Sequence, residues 1–308
     1  MAVGLLVAFL LLRLVFPEHL VALMLSAVRR FAGLRARNVD VDGVTWPYLD
    51  GGLESGEIVI LLHGFAGDKD NWPLYARHLR KDFRVIAPDL PGFGENGRDP
   101  DPNADYRIST QVRRLRKFVE AMGIDRFHIA GNSMGGYLAL EYALAYPSSV
   151  ITMMLLNNAG VSSINKSEVE LAANLGENLL VVSSFQELDK LLKLIVYRPM
   201  PIPGVLKQHI GKQLIEQRGF LDRIFWSLYD DNLNRPLDDQ LRNVSAPTLI
   251  IWGRGDRIID VSCTEIMKER IPQNQCIVFE KIGHVPMLEC PAKTASAHRD
   301  FINRHRAA

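Results

Sequence analysis

The sequence predicts an α/β protein in which a mostly parallel sheet is covered by helices on both faces. Three observations carry that prediction. Apolar runs of strand length recur at residues 58–62, 84–87, 127–130, 153–156, 248–252 and 277–279, and helix-length segments at 71–80, 110–122, 134–146, 261–271 and 291–304 lie between or after them. Strands that are apolar throughout, instead of alternating, belong in a sheet buried on both sides. Met122-Gly123, Tyr146-Pro147 and Ile271-Pro272 close the internal helices with residues that commonly end one.

The elements divide the chain into segments. The alternation holds over 45–159 and again over 236–308, the two parts of one core. It breaks over 160–235, where Tyr197-Arg198-Pro199-Met200-Pro201-Ile202-Pro203-Gly204 interrupts helical patterns. That stretch reads as a helical cap over the sheet, with a small second domain as the alternative. Repeats and low-complexity tracts are absent from the sequence.

At the N-terminus, an apolar run over residues 1–12 is followed by Arg13, more apolar residues to Phe16, and Pro17; a second run covers 20–28. Neither run alone provides the roughly 20 residues needed to span a bilayer, but the two together, with Arg13 snorkelling, would. Residues 1–28 are therefore expected to form a single-pass membrane anchor, and 29–44, with Arg29, Arg30, Arg35 and Arg37, a basic juxtamembrane segment. A helix lying on the folded enzyme and a cleaved signal peptide are the alternatives; the lack of a basic residue in Met-Ala-Val-Gly weighs against the second. The arginines favour a cytoplasmic catalytic domain by the positive-inside rule, yet would equally suit anionic headgroups on either face, so the side stays open.

With 36 basic and 35 acidic residues the net charge is +1, and no basic tract asks for a nucleic-acid partner. Cys263, Cys276 and Cys290 are too few for a disulfide framework and read as free, unreactive thiols. No metal-binding motif and no glycine-rich phosphate loop occurs, so neither a metal nor another cofactor is implied.

The chemistry gathers at Gly131-Asn132-Ser133-Met134-Gly135-Gly136, between the strand at 127–130 and the helix at 134–146. A turn this sharp forces its central residue into strained backbone geometry, and the flanking glycines remove side chains that would clash. The Ser133 hydroxyl is then exposed near a helix N-terminus, where N–H groups favour developing negative charge. A serine hydroxyl needs a base. His284, in the loop after the strand at 277–279, is the best candidate; His298 and His305 fall in the terminal helix pattern and read as solvated. An imidazole needs an acid to orient it, and Asp256 follows the strand at 248–252 through Gly253-Arg254-Gly255, ahead of its rivals Asp260 and Asp230-Asp231. Two backbone N–H groups, those of Phe65 and Met134, are expected to form the oxyanion hole. His63 reads as a structural loop residue and Asp89 as a turn former. Phe185, Tyr197, Phe225, Trp226 and Tyr229 either line an acyl pocket or pack the cap.

The segments at 60–65, 85–94, 131–136, 252–256 and 283–284 resemble the α/β-hydrolase superfamily over roughly 45–160 and 236–305. Within it the chain is similar to the monoacylglycerol-lipase-like group with an N-terminal membrane helix, which includes bacterial membrane-bound phospholipases A. That group's serine, aspartate and histidine map onto Ser133, Asp256 and His284. The resemblance implies a membrane-associated ester hydrolase that releases fatty acids from acyl lipids, with membrane lipids as partners of the N-terminal helix. A homodimer through that helix, known in relatives, is compatible with it. A carbon–carbon bond hydrolase of the same fold and a general short-chain carboxylesterase are the competing functions; an aspartate-nucleophile dehalogenase or epoxide hydrolase is disfavoured by serine at 133.

Overall fold

The computed structural model describes residues 17–306 except 100, 102 and 235. Eight strands form one sheet: β1 (Leu34–Val41), β2 (Val44–Gly52), β3 (Glu57–Leu62), β4 (Phe83–Pro88), β5 (Phe127–Asn132), β6 (Val150–Leu156), β7 (Thr248–Gly253) and β8 (Asn274–Phe279). Their order is β1-β2-β4-β3-β5-β6-β7-β8, antiparallel from β1 through β4 and parallel from β4 to β8.

The inner apolar strands are buried on both faces, as their composition demands, while the edge strand β8 is half-buried. Along β3, Ile60 and Leu62 enter one core with Leu115, Phe118 and Leu138, while Val59 and Leu61 enter a second with Trp72, Tyr75 and Phe301. The first layer is built by helices α3 (Ile108–Ala121), α4 (Met134–Ala145) and α9 (Cys263–Arg270), the second by α2 (Pro73–Ala76) and α11 (Pro291–His305). The segment predicted as a helix over 71–80 shortens to α2 with flanking turns.

All six predicted strands are present; the first two of the eight are an addition. The sheet extends back to Leu34, inside the stretch expected to be only a basic juxtamembrane segment. Its local signal was Asp42-Gly43, whose φ values of 54° and 83° make a two-residue hairpin turn between β1 and β2. Charged residues along Leu-Arg-Ala-Arg-Asn-Val-Asp-Val mask the strand, because only its ends are buried.

Between β6 and β7 the cap contributes α5 (Glu168–Asn174), α6 (Phe185–Ile195), α7 (Gly204–Glu216) and α8 (Arg218–Asn234). Ser167 and Glu170 close a capping box at the start of α5. The helical character expected for the insertion is observed, and Pro199, Pro201 and Pro203 separate α6 from α7.

The apolar run at 20–28 lies in α1 (Pro17–Phe31), which begins at the proline. Leu20 and Val21 are buried beside Val205 of the cap. Arg29 donates from Nε to Asp70 at 2.7 Å, fastening the helix end to the core. Leu23 (60%) and Phe31 (57%) of the same helix are exposed. Among the described residues no helix is long and apolar enough to cross a membrane. The first apolar run, and hence most of the expected anchor, lies outside the described residues.

Candidate active site

The sheet reverses its direction of growth at β3: β4 lies on one side of it and β5 on the other. Loops leaving the carboxyl ends of β3 and β5 diverge there and open a crevice. Ser133 and the 63–67 loop border that crevice.

Ser133 sits between β5 and α4 at φ 56° and ψ −120°, a conformation that is costly for a side-chain-bearing residue. Its neighbours hold it there. Its N–H donates to Leu156 O at 3.0 Å, and its carbonyl accepts the N–H groups of Gly136 and Ala159. Gly131 permits the turn, since a Cβ there would stand 2.1 Å from Gly135 O; a Cβ on Gly135 would stand 2.3 Å from Leu62 O. Gly64 approaches from β3 so closely that its Cβ would lie 3.1 Å from that of Ser133. Phe65 follows directly, and Met134 is the first residue of α4.

Asp256 and His284 meet across 28 residues of chain: His284 Nδ1 lies 2.8 Å from Asp256 Oδ2. An ionised carboxylate only accepts, so Nδ1 carries the proton in this arrangement and Nε2 is the lone-pair nitrogen. Asp256 Oδ1 accepts the N–H groups of Ile258 (2.8 Å) and Ile259 (3.2 Å). Both side chains are buried. Asn132, next to the serine, donates its amide to His284 O at 3.0 Å and Leu156 O at 3.1 Å. The elbow, β6 and the histidine loop are thereby tied together.

Ser133 and His284 share a cavity of about 470 Å³ whose other walls include Phe65, Leu191, Ile195, Met200 and Leu214. A smaller space of about 120 Å³ also reaches Ser133 and is walled by Met134, Val161, Phe225 and Tyr229. Of the five aromatics considered for a pocket, Phe225 and Tyr229 line this smaller space, while Phe185 and Tyr197 are exposed on the cap. Trp226 packs edge-on against Phe225.

Residues set aside from the site take definite places. His63 Nδ1 donates to Gly64 O, and Nε2 accepts the Leu90 N–H, each at 2.9 Å, so it braces two loops. Burial pushes its pKa down, in keeping with a neutral ring. Asp260 Oδ1 accepts the Ser262 N–H, and Asp230 and Asp231 lie in α8. Two readings need correction. His298 is fully buried, not solvated: its Nδ1 meets the Tyr75 hydroxyl at 2.5 Å, because α11 turns that face onto the sheet. His305, about two turns further along, is exposed as expected. Asp89 is more than a turn former. It forms a buried ion pair with Lys69 Nζ at 2.7 Å and accepts the N–H groups of Lys69 and Glu95. The three cysteines are free, and burial raises the pKa of each thiol, which suppresses the reactive thiolate. Among the described residues no cluster of three or more His, Cys, Asp or Glu side chains is arranged to hold a metal ion.

Asn157 is the residue that inspection of the sequence missed. It follows β6 at φ 44°, and its amide donates to Asp256 Oδ2 at 2.6 Å. Its local signal was a pair of asparagines immediately after a buried strand, where an Asn tolerates positive φ.

The α/β-hydrolase-fold family matches residues 57–291 of the chain. The chain is 34% identical over 255 residues to Lipase 1 of Psychrobacter immobilis, covering 82% of this chain and 79% of that protein. It is 30% identical over 305 residues to monoacylglycerol lipase ABHD6 of Rattus norvegicus, covering 96% and 90%. Among solved structures, a membrane phospholipase A described as a bacterial virulence factor superposes with a TM-score of 0.91 at 38% identity, covering 100% of this chain and 98% of that one.

Proposed function

The chain belongs to the α/β-hydrolase fold family, and from that premise we propose that it is a membrane-associated serine ester hydrolase that releases fatty acids from acyl lipids. The observation that carries this reading is the site itself. A serine on a strained strand-to-helix turn borders an apolar cavity together with a histidine whose other nitrogen is held by a buried aspartate.

In the proposed reaction His284 Nε2 takes the Ser133 proton as Oγ attacks the ester carbonyl, and Asp256 stabilises the resulting imidazolium. The N–H groups of Phe65 and Met134 receive the charge on the carbonyl oxygen, aided by the N-terminus of α4. His284 then protonates the leaving alcohol. Water, deprotonated by the same imidazole, adds to the acyl-serine and frees the fatty acid.

The names of the relatives, lipases, a monoacylglycerol lipase and a membrane phospholipase A, support an acyl-lipid substrate and a membrane setting. The apolar run over residues 1–12 and the exposed Leu23 and Phe31 of α1 suit contact with lipid.

Fatty-acid release by detergent-extracted full-length protein from monoacylglycerols, lysophospholipids, diacyl phospholipids and short esters tests the proposal, with Ser133→Ala as control. Serine-dependent release from a glycerolipid is expected, with the protein in the membrane fraction. Turnover of short soluble esters alone would leave a general carboxylesterase, and turnover by Ser133→Ala would refute the nucleophile.

A further inference from the structure

The cap and the loop that carries His284 are joined through the chain at the end of α6 and just beyond it. Ile195 O accepts the His284 N–H at 2.8 Å. Two residues on, the Tyr197 N–H donates to Glu289 Oε2 at 2.8 Å, and Glu289 Oε1 accepts the Gly283 N–H at 2.8 Å. Glu289 belongs to α10 (Pro286–Glu289), one short turn beyond the histidine. Gly283 lets the two stretches touch: a Cβ there would stand 2.7 Å from both Ile195 O and Tyr197 N. On the aspartate's side the Tyr197 ring covers Gly255, whose Cβ would stand 2.4 Å from Cδ2 of that ring. Ile195 and the adjoining Val196 also wall the cavity that holds Ser133. Three consecutive cap residues thus touch the backbone of His284, the neighbour of Asp256 and the substrate space.

We propose that Glu289 is a positioning residue that clasps cap residues 195–197 to the His284 loop, so that docking of the cap and placement of the imidazole are one event. The inference rests on Ser133, His284 and Asp256 being the catalytic groups. A carboxylate suits the task because it offers two acceptor oxygens and no donor, and these take backbone N–H groups from the cap, at Tyr197, and from the loop, at Gly283. It acts through the peptide of residues 283 and 284. Cap displacement would withdraw Ile195 O from the His284 N–H and leave the loop without its partner. An imidazole misplaced by about 1 Å is enough to lower a rate on the order of 100-fold.

The test compares wild type with Glu289→Ala, Glu289→Gln and Gly283→Ala, each titrated at the active site with a fluorophosphonate and assayed on p-nitrophenyl acetate and p-nitrophenyl octanoate. Glu289→Ala is expected to lower kcat per titrated site about 10- to 100-fold on both esters with less than about 3-fold change in KM. Glu289→Gln, which keeps an acceptor for one of the two N–H groups, is expected to recover part of that loss. Gly283→Ala places a Cβ in the same contact and is expected to reproduce the kcat defect with the carboxylate intact. Wild-type kcat per site in Glu289→Ala and Glu289→Gln, or an effect confined to KM for the octanoate, would overturn the clasp. Turnover by Ser133→Ala would instead bring down the hydrolase reading, whatever the Glu289 variants do.

Discussion

Asn157 and His284 share one oxygen: Asp256 Oδ2 receives the Asn157 amide at 2.6 Å and the His284 Nδ1–H at 2.8 Å. The asparagine also reaches Gly283 O and accepts the Gly253 N–H, each at 3.3 Å, so it spans both loops that carry Asp256 and His284. Replacement by alanine removes a charge-assisted hydrogen bond worth about 1.5–3 kcal/mol. If roughly half of that is felt at the transition state, Asn157→Ala lowers kcat by about 4- to 13-fold. Steady-state kinetics on p-nitrophenyl butyrate check this; an unchanged kcat would show that Asp256 is held adequately by Ile258 and Ile259.

Gly64→Ala is expected to damage turnover more than stability. The added methyl would crowd Ser133 Cβ at 3.1 Å and push the loop that presents the Phe65 N–H. Losing one oxyanion donor costs about 10²–10³ in rate, so a kcat loss on that order is expected with a melting temperature close to wild type. A normal kcat in this variant would argue that Phe65 is not a donor.

Lys69→Met should destabilise the fold. Lys69 and Asp89 are 1% and 0% exposed and pair at 2.7 Å. Removing one partner leaves a buried carboxylate uncompensated, which costs about 3–5 kcal/mol. A fall in melting temperature on the order of 10 °C is expected in calorimetry, and a fall under about 2 °C would contradict a buried ion pair.

The two buried histidines on the far face of the sheet make the fold sensitive to acid. Burial, with a smaller contribution from His128, pushes the pKa of His298 down to about 3; burial likewise pushes that of His128 down to about 4. A depressed pKa in the folded state means the unfolded chain binds the proton first as pH falls. The stability of each neutral histidine is therefore complete above about pH 6.5 and declines below it at about 1.4 kcal/mol per pH unit until the folded pKa is reached. His298→Gln retains an acceptor for the Tyr75 hydroxyl and does not titrate. Melting curves at pH 7 and pH 5 should show a smaller drop for the variant than for wild type; equal drops would mean that His298 is not buried neutral.

Much of the site was legible because its signals are local. The strands at 127–132, 248–253 and 274–279 announce themselves by mostly apolar runs at 127–130, 248–252 and 277–279, and Ser133, Asp256 and His284 each follow one of the strands within a few residues. Gly131 and Gly135 mark the elbow because the turn excludes a Cβ at both. The hairpin of β1 and β2 was obscured by charge, although Asp42-Gly43 pointed to it.

The sequence by itself determined a two-face-buried parallel sheet, a helical insertion and the placing of Ser133, Asp256 and His284 just after three of its strands, since these follow from the apolar period and from turn chemistry within short windows. Only the tertiary structure decided which polar groups meet. Asn157 finds Asp256 across 99 residues and Asn132 finds His284 O across 152; Lys69 enters the interior because Asp89 is there to receive it. The same holds for His298, whose burial depends on which face α11 lays against the sheet, and for Glu289, whose two oxygens matter only once the cap comes down beside the histidine loop. A buried polar side chain is stable only with a partner, and that partner is chosen by the fold, not by its neighbours in the chain.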